Sequence, residues 1–93
     1  MSGATVCRYQ SSHGARTVLV LDRDGAGARV VMIGVPVSMR CLPAQELCWL
    51  SPLDDYPPRQ VARRMLAAGR VLGITSKARR ALRRALGQVH GGQ

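Results

Sequence analysis

The chain has 93 residues and a net charge of +9, with 46% hydrophobic side chains but only one Trp, two Tyr and no Phe. This length predicts a single domain, residues 1–93, with a small core of aliphatic side chains. No apolar run approaches the ~18 residues of a membrane span, no signal-peptide pattern begins the chain, and the three cysteines are irregularly spaced, so we expect a cytoplasmic protein without a disulfide framework.

The first half of the chain has the pattern of short β-strands joined by tight turns. Residues 4–9 predict a first strand. Residues 17–33 predict a hairpin, because two β-branched and aliphatic runs flank a segment rich in Asp and Gly. Residues 35–42 alternate as expected of a further strand, and Pro36 places its start at an edge or a bend.

The segment after Pro43 has two interpretations. Residues 44–50 fit either a last short strand or a single helical turn followed by one. Three to five strands of this length predict a small, strongly bent antiparallel sheet, an SH3-like or OB-like partial barrel over residues 4–50. Because such a sheet cannot cover both of its faces alone, we expect an α+β fold in which later helices, or a second copy of the chain, cover it.

The second half predicts two basic amphipathic helices. In the first, residues 57–72, aliphatic side chains share one face and arginines share the other. Pro58 suits its first turn, and Ser76 can cap the start of the second helix, residues 76–88. Residues 73–75 form the joint. The predicted buried face of the second helix consists of Ala78, Ala81, Leu82, Ala85, Leu86 and Val89.

The net charge is confined to these helices. Residues 1–55 carry five basic and five acidic side chains, and no Asp or Glu follows residue 55. One-sided charge attracts polyanions or acidic protein surfaces, and neighbouring arginines without a local carboxylate repel one another unless an anion is bound. The candidate binding residues are Arg59, Arg63, Arg64, Arg70, Lys77, Arg79, Arg80, Arg83 and Arg84.

This charge distribution predicts a small non-enzymatic nucleic-acid-binding accessory or regulatory protein that grips phosphates of DNA or RNA and is compatible with a homodimer. The alternative is an interaction or inhibitor protein, of the kind carried by phages and mobile elements, that docks its basic helices on an acidic partner protein. Residues 67–86 fit a helix-turn-helix motif in part, but Arg79 stands where the recognition helix normally turns an aliphatic side chain inward. With few aromatic residues for stacking, phosphate contacts are expected to dominate.

The remaining residue patterns predict neither a metal site nor a catalytic site. The potential metal ligands are Cys7, His13, Cys41 and Cys48. Their spacing is not that of zinc sites, so we interpret the cysteines as small buried hydrophobes and expect no metal or other cofactor. Residues 22–25 resemble the opening of a calcium loop without its remaining ligands, which favours a turn. Without a glycine-rich phosphate loop or paired carboxylates, no enzymatic activity is expected.

Overall fold

The computed structural model describes residues 3–87 and folds them into a five-stranded antiparallel sheet followed by two helices. The strands are β1 (Thr5–Ser11), β2 (Gly14–Asp24), β3 (Gly27–Met32), β4 (Ser38–Pro43) and β5 (Leu50–Pro52). A 3-10 helix, Ala44–Trp49, precedes β5, and the α-helices are α1 (Pro58–Leu72) and α2 (Ser76–Ala85). The predicted α+β fold is confirmed, and of the two interpretations of residues 44–50 the helical turn followed by a strand is the observed one.

The first four strands form a meander, and the sheet curls back on itself. Its strand order is β4-β3-β2-β1-β5, so the short last strand pairs with the first and the sheet forms a partial, unclosed barrel. The turn between β2 and β3 is tied by Asp24, whose carboxylate accepts the backbone N–H groups of Ala26 at 2.8 Å and Gly27 at 3.2 Å. The aspartates that resemble a calcium loop therefore belong to a hairpin, as predicted.

Both faces of the curled sheet are buried, because successive side chains of a strand point to opposite faces. Val6, Leu19 and Val31 lie on the face that the helices cover. The other face holds a second cluster, which the 3-10 helix helps to close through Leu47. Its buried members are Cys7, Tyr9, Val18, Val20, Ala28, Val30, Met32, Leu42 and Leu50.

The two α-helices bury their apolar faces in the first cluster, with Met65 of α1 and Leu82 of α2 almost completely inaccessible. The predicted cap of α2 is wrong by one residue. Thr75, not Ser76, is the N-cap, and its Oγ1 accepts the backbone N–H of Ala78 at 3.2 Å. Thr75 has the extended backbone that a capping residue needs, whereas Ser76 is already helical.

The joint between the helices is hydrogen-bonded to Val37, the residue just before β4. The N–H of Val37 donates to the carbonyl of Gly73 at 2.8 Å, and the N–H of Thr75 donates to the carbonyl of Val37 at 3.0 Å. Gly73 has a φ of 86°, which favours glycine at the end of α1. These contacts hold both helices on one side of the sheet. The predicted end of the second helix at residue 88 is wrong: α2 ends at Ala85, and Gly87, with a φ of 77°, lies in the turn that follows. Val89 lies outside the described residues.

Within residues 3–87, no helix combines the length and the hydrophobicity that crossing a lipid bilayer requires.

Candidate nucleic-acid interface

All nine predicted binding residues lie on α1 and α2, and all nine side chains are exposed. At about 100° per residue, Arg59, Arg63 and Arg70 fall within about 40° of one another on α1, outside the arc of its buried residues, and Arg64 lies about 100° further round from Arg63. The five basic residues of α2 spread over about 160°, again opposite its buried face. Neither α1 nor α2 contains an acidic side chain.

These exposed faces belong to one layer of the molecule. The buried residues of α1 and α2 share a single cluster with the same face of the sheet, so the opposite sides of both helices point away from that sheet. The two helices also pack against each other. We call the exposed side of this layer, with its nine basic residues, the helical basic face.

The acidic side chains of the molecule do not neutralise the helical basic face. In the part of the chain that the structure describes, the only salt bridge joins Arg29 to Asp22, between β3 and β2. The hydrogen bonds from Arg29 hold the pKa of Asp22 below its ordinary value. Glu46 accepts the hydroxyl of Tyr9 at 2.7 Å. Residues 54–55 are exposed in the turn before α1, outside its first helical turn.

The helical basic face can bind anions but has no aromatic surface on which bases could stack. Each guanidinium presents a fork of N–H donors that matches a phosphate or a carboxylate, and it stays charged at every physiological pH. Neither described helix carries an aromatic side chain on which a base could stack. The arrangement therefore favours contacts with a phosphate backbone.

The match to a helix-turn-helix motif remains partial. Three residues separate Leu72 at the end of α1 from Ser76 at the start of α2, as such motifs require. Ala78 and Leu82 are fully buried, but Arg79 is exposed. The motif therefore fails at Arg79 in the structure as it does in the sequence, and the joint is hydrogen-bonded to Val37, just before β4.

The interpretation of all three cysteines as buried hydrophobes is wrong for two of them. Cys7 is buried, and burial raises the pKa of its thiol. Cys41, on β4, and Cys48, on the 3-10 helix, are exposed and free. Across residues 3–87, no three His, Cys, Asp or Glu side chains come together as metal ligands.

A cavity of about 620 Å³, which no sequence pattern indicated, opens beside the β-sheet. The ring of Tyr9 packs against that of Trp49 with centroids 5.9 Å apart, and the Tyr9 hydroxyl donates to Glu46. This hydrogen bond, helped by burial, raises the pKa of Tyr9. Arg16 and Arg40 also line the cavity. Their separation along the chain hides the site from any local motif.

Comparisons of the chain with protein-family models, with curated proteins and with solved structures found no match. The geometry and the charge of the helical basic face and of the cavity therefore carry the inference of function.

Proposed function

We propose that this protein is a non-enzymatic nucleic-acid-binding accessory or regulatory protein that grips the phosphates of DNA or RNA with its helical basic face. One observation supports the proposal above all others. Nine exposed basic side chains lie on two helices that hold no carboxylate, and none of the nine forms a salt bridge within residues 3–87. A bound polyanion would remove the repulsion among them. The exposed free thiols of Cys41 and Cys48 fit a reducing cytoplasm.

The dimensions of the helical basic face suit a stretch of backbone. Arg59 and Arg70 are eleven positions apart on α1, which corresponds to about 16 Å along the helix axis. Lys77 and Arg84 are seven positions apart on α2, or about 10 Å. Five or six phosphates could be neutralised over such an area, and contacts to phosphates carry no base-sequence information directly.

The salt dependence of binding tests this proposal. Five neutralised phosphates give a slope of about −5 for log K against log salt, so a fourfold rise in salt weakens binding about a thousandfold. Fluorescence anisotropy with labelled DNA and RNA duplexes of mixed sequence, starting at about 50 mM salt, measures that slope. No binding at the lowest salt overturns the proposal.

A matched pair of variants separates the helical basic face from total charge. R80Q/R84Q removes two charges from α2, and R8Q/R23Q removes two exposed charges from the sheet. We expect R80Q/R84Q to lower the salt slope by about two and to weaken binding, since each lost phosphate contact lowers it by about one. R8Q/R23Q should leave the slope unchanged. Equal effects of the two variants would mean that only net charge matters.

The second candidate function is docking on an acidic partner protein, as an interaction or inhibitor protein of a phage or mobile element would do. Val71, 85% exposed on α1, favours it, because an exposed aliphatic side chain beside arginines is typical of a protein interface. A pull-down from the native host with and without nuclease distinguishes the two functions. Under docking, the complex survives nuclease treatment and V71D abolishes it. Under phosphate binding, nuclease releases the bound material and V71D has little effect.

A further inference from the structure

The cavity beside the sheet is separate from the helical basic face. Its walls come from the β1–β2 hairpin, from the ends of β3 and β4 with the loop between them and from the 3-10 helix, and no residue of α1 or α2 lines it. Its volume of about 620 Å³ lies within the range of small-molecule sites in proteins. A ligand bound here would touch none of the nine helical basic residues.

One wall of the cavity is a supported aromatic ring. Trp49 is 39% exposed and packs at a tilt against Tyr9, which is itself buried. The hydrogen bond from the Tyr9 hydroxyl to Glu46, at 2.7 Å, fixes the ring that supports Trp49. Ile33 and Val35 add exposed aliphatic surface to the same cavity. A flat, partly apolar ligand fits such a wall.

The same cavity carries unpaired positive charge. Arg16 and Arg40 are exposed, and neither forms a salt bridge within the described range 3–87. Arg16 is steadied by a long hydrogen bond of 3.4 Å to the carbonyl of Ile33, which leaves most of its N–H donors free. Glu46, the one carboxylate in the lining, already accepts the Tyr9 hydroxyl. His13 also lines the cavity. Because two arginines face one carboxylate, the net charge of the lining favours an anion.

We propose that this cavity binds a nucleoside phosphate, with the base against Trp49 and the phosphate at Arg16 and Arg40. The ligand class follows from the pairing of a stacking ring with two unpaired guanidiniums, because a nucleotide joins a flat base to an anion. The ligand can be a free nucleotide or an unpaired residue of a nucleic-acid strand. The proposal does not rest on duplex binding by the helices.

The fluorescence of Trp49 tests the proposal directly, because it is the only tryptophan of the chain. The probes are a free nucleoside monophosphate, the matching nucleoside, ribose 5-phosphate and a single-stranded octanucleotide. We expect saturable quenching by the monophosphate and at least about tenfold weaker binding of the two fragments. An octanucleotide that binds at least about tenfold more tightly than the monophosphate indicates a strand as the natural ligand, and equal affinity indicates a free nucleotide.

The R16Q/R40Q variant links the binding to the cavity. It should weaken monophosphate binding about tenfold, since charge-assisted hydrogen bonds to the phosphate are lost. R80Q/R84Q should leave this binding unchanged while it weakens duplex binding, so the two proposals can fail separately. A cooperative thermal unfolding transition in both variants shows that the fold is intact. No saturable quenching up to about 10 mM monophosphate, or full affinity in R16Q/R40Q, overturns the proposal.

Discussion

Gly27 is the residue at which the fold depends most directly on the absence of a side chain. It has a φ of 155°, and a Cβ there would overlap the carbonyl oxygen of Leu42 on β4 and lie 3.2 Å from its carbon. Because both atoms are backbone, relief requires the β3–β4 pairing to shift. We expect G27A to lower the free energy of unfolding by at least about 2 kcal/mol, measured by urea denaturation.

Gly25 provides the matched control for Gly27. It lies in the same turn, a methyl group added to it would meet no other atom within 4 Å, and it lacks a positive φ. G25A should therefore change the free energy of unfolding by no more than about 0.5 kcal/mol. If G25A and G27A lowered the free energy of unfolding by similar amounts, the turn would be sensitive to any added side chain, and the contact with Leu42 would not explain the destabilisation.

The three thiols should differ in reactivity. Burial raises the pKa of Cys7, so less of it is thiolate at a given pH, and the reagent cannot reach it. Cys41 and Cys48 are exposed. With Ellman's reagent at about pH 8, we expect two thiols to react quickly and the third only on unfolding. In C7S the slow thiol should be missing; three fast thiols in the native protein would contradict the assignment.

At the scale of the element, two neighbouring hydroxyl residues at the start of α2 have different roles, because only Thr75 caps the helix. The Thr75 side chain accepts the N–H of Ala78, whereas Ser76 is exposed within the helix. Replacement of Thr75 by Ala should cost about 1 kcal/mol of stability, and S76A should cost only a few tenths. Chemical denaturation of both variants measures the difference. The reverse order would restore Ser76 as the cap.

Local patterns were sufficient to predict the presence of both helices, but not the end of α2 or every strand end. The helical periodicity of residues 57–72 is visible because aliphatic and basic side chains alternate with the helix repeat. Strand β2 starts at Gly14, earlier than predicted, because Ala15 and Arg16 pair with Gln10 and Tyr9 across the hairpin. Pairing of this kind depends on the partner strand, so small and polar residues such as these give no local signal of a strand.

For the whole molecule, the sequence could predict one surface and not the other. The exposed positions of the nine helical basic residues follow from period and composition alone. The cavity instead requires Tyr9 of β1, Arg40 of β4 and Trp49 of the 3-10 helix to line the same space, which depends on how far the sheet curls. The exposure of Cys41 was missed for a related reason, since alternation along β4 does not reveal which of its faces is covered at each position.

The helical basic face should also make stability depend on salt in the absence of any ligand. Its residues form five like-charge pairs three or four positions apart, such as Arg80 with Arg84, and each costs a few tenths of a kcal/mol at low ionic strength. Salt screens these exposed charges, so the total of about 1 kcal/mol should appear as a rise in Tm of about 5 °C between about 20 mM and 500 mM NaCl. Differential scanning calorimetry of the isolated protein measures it.

The variants R80Q/R84Q and R8Q/R23Q distinguish this local repulsion from general effects of salt. R80Q/R84Q removes three of the five pairs, those that Arg80 forms with Lys77, Arg83 and Arg84, so it should unfold at a higher Tm than the parent in low salt and lose about half of the salt dependence. R8Q/R23Q removes the same amount of charge from the sheet and should keep most of the salt dependence of Tm. If both variants follow the parent at every salt concentration, the helical arginines do not repel one another measurably, and relief of repulsion cannot contribute to binding a polyanion.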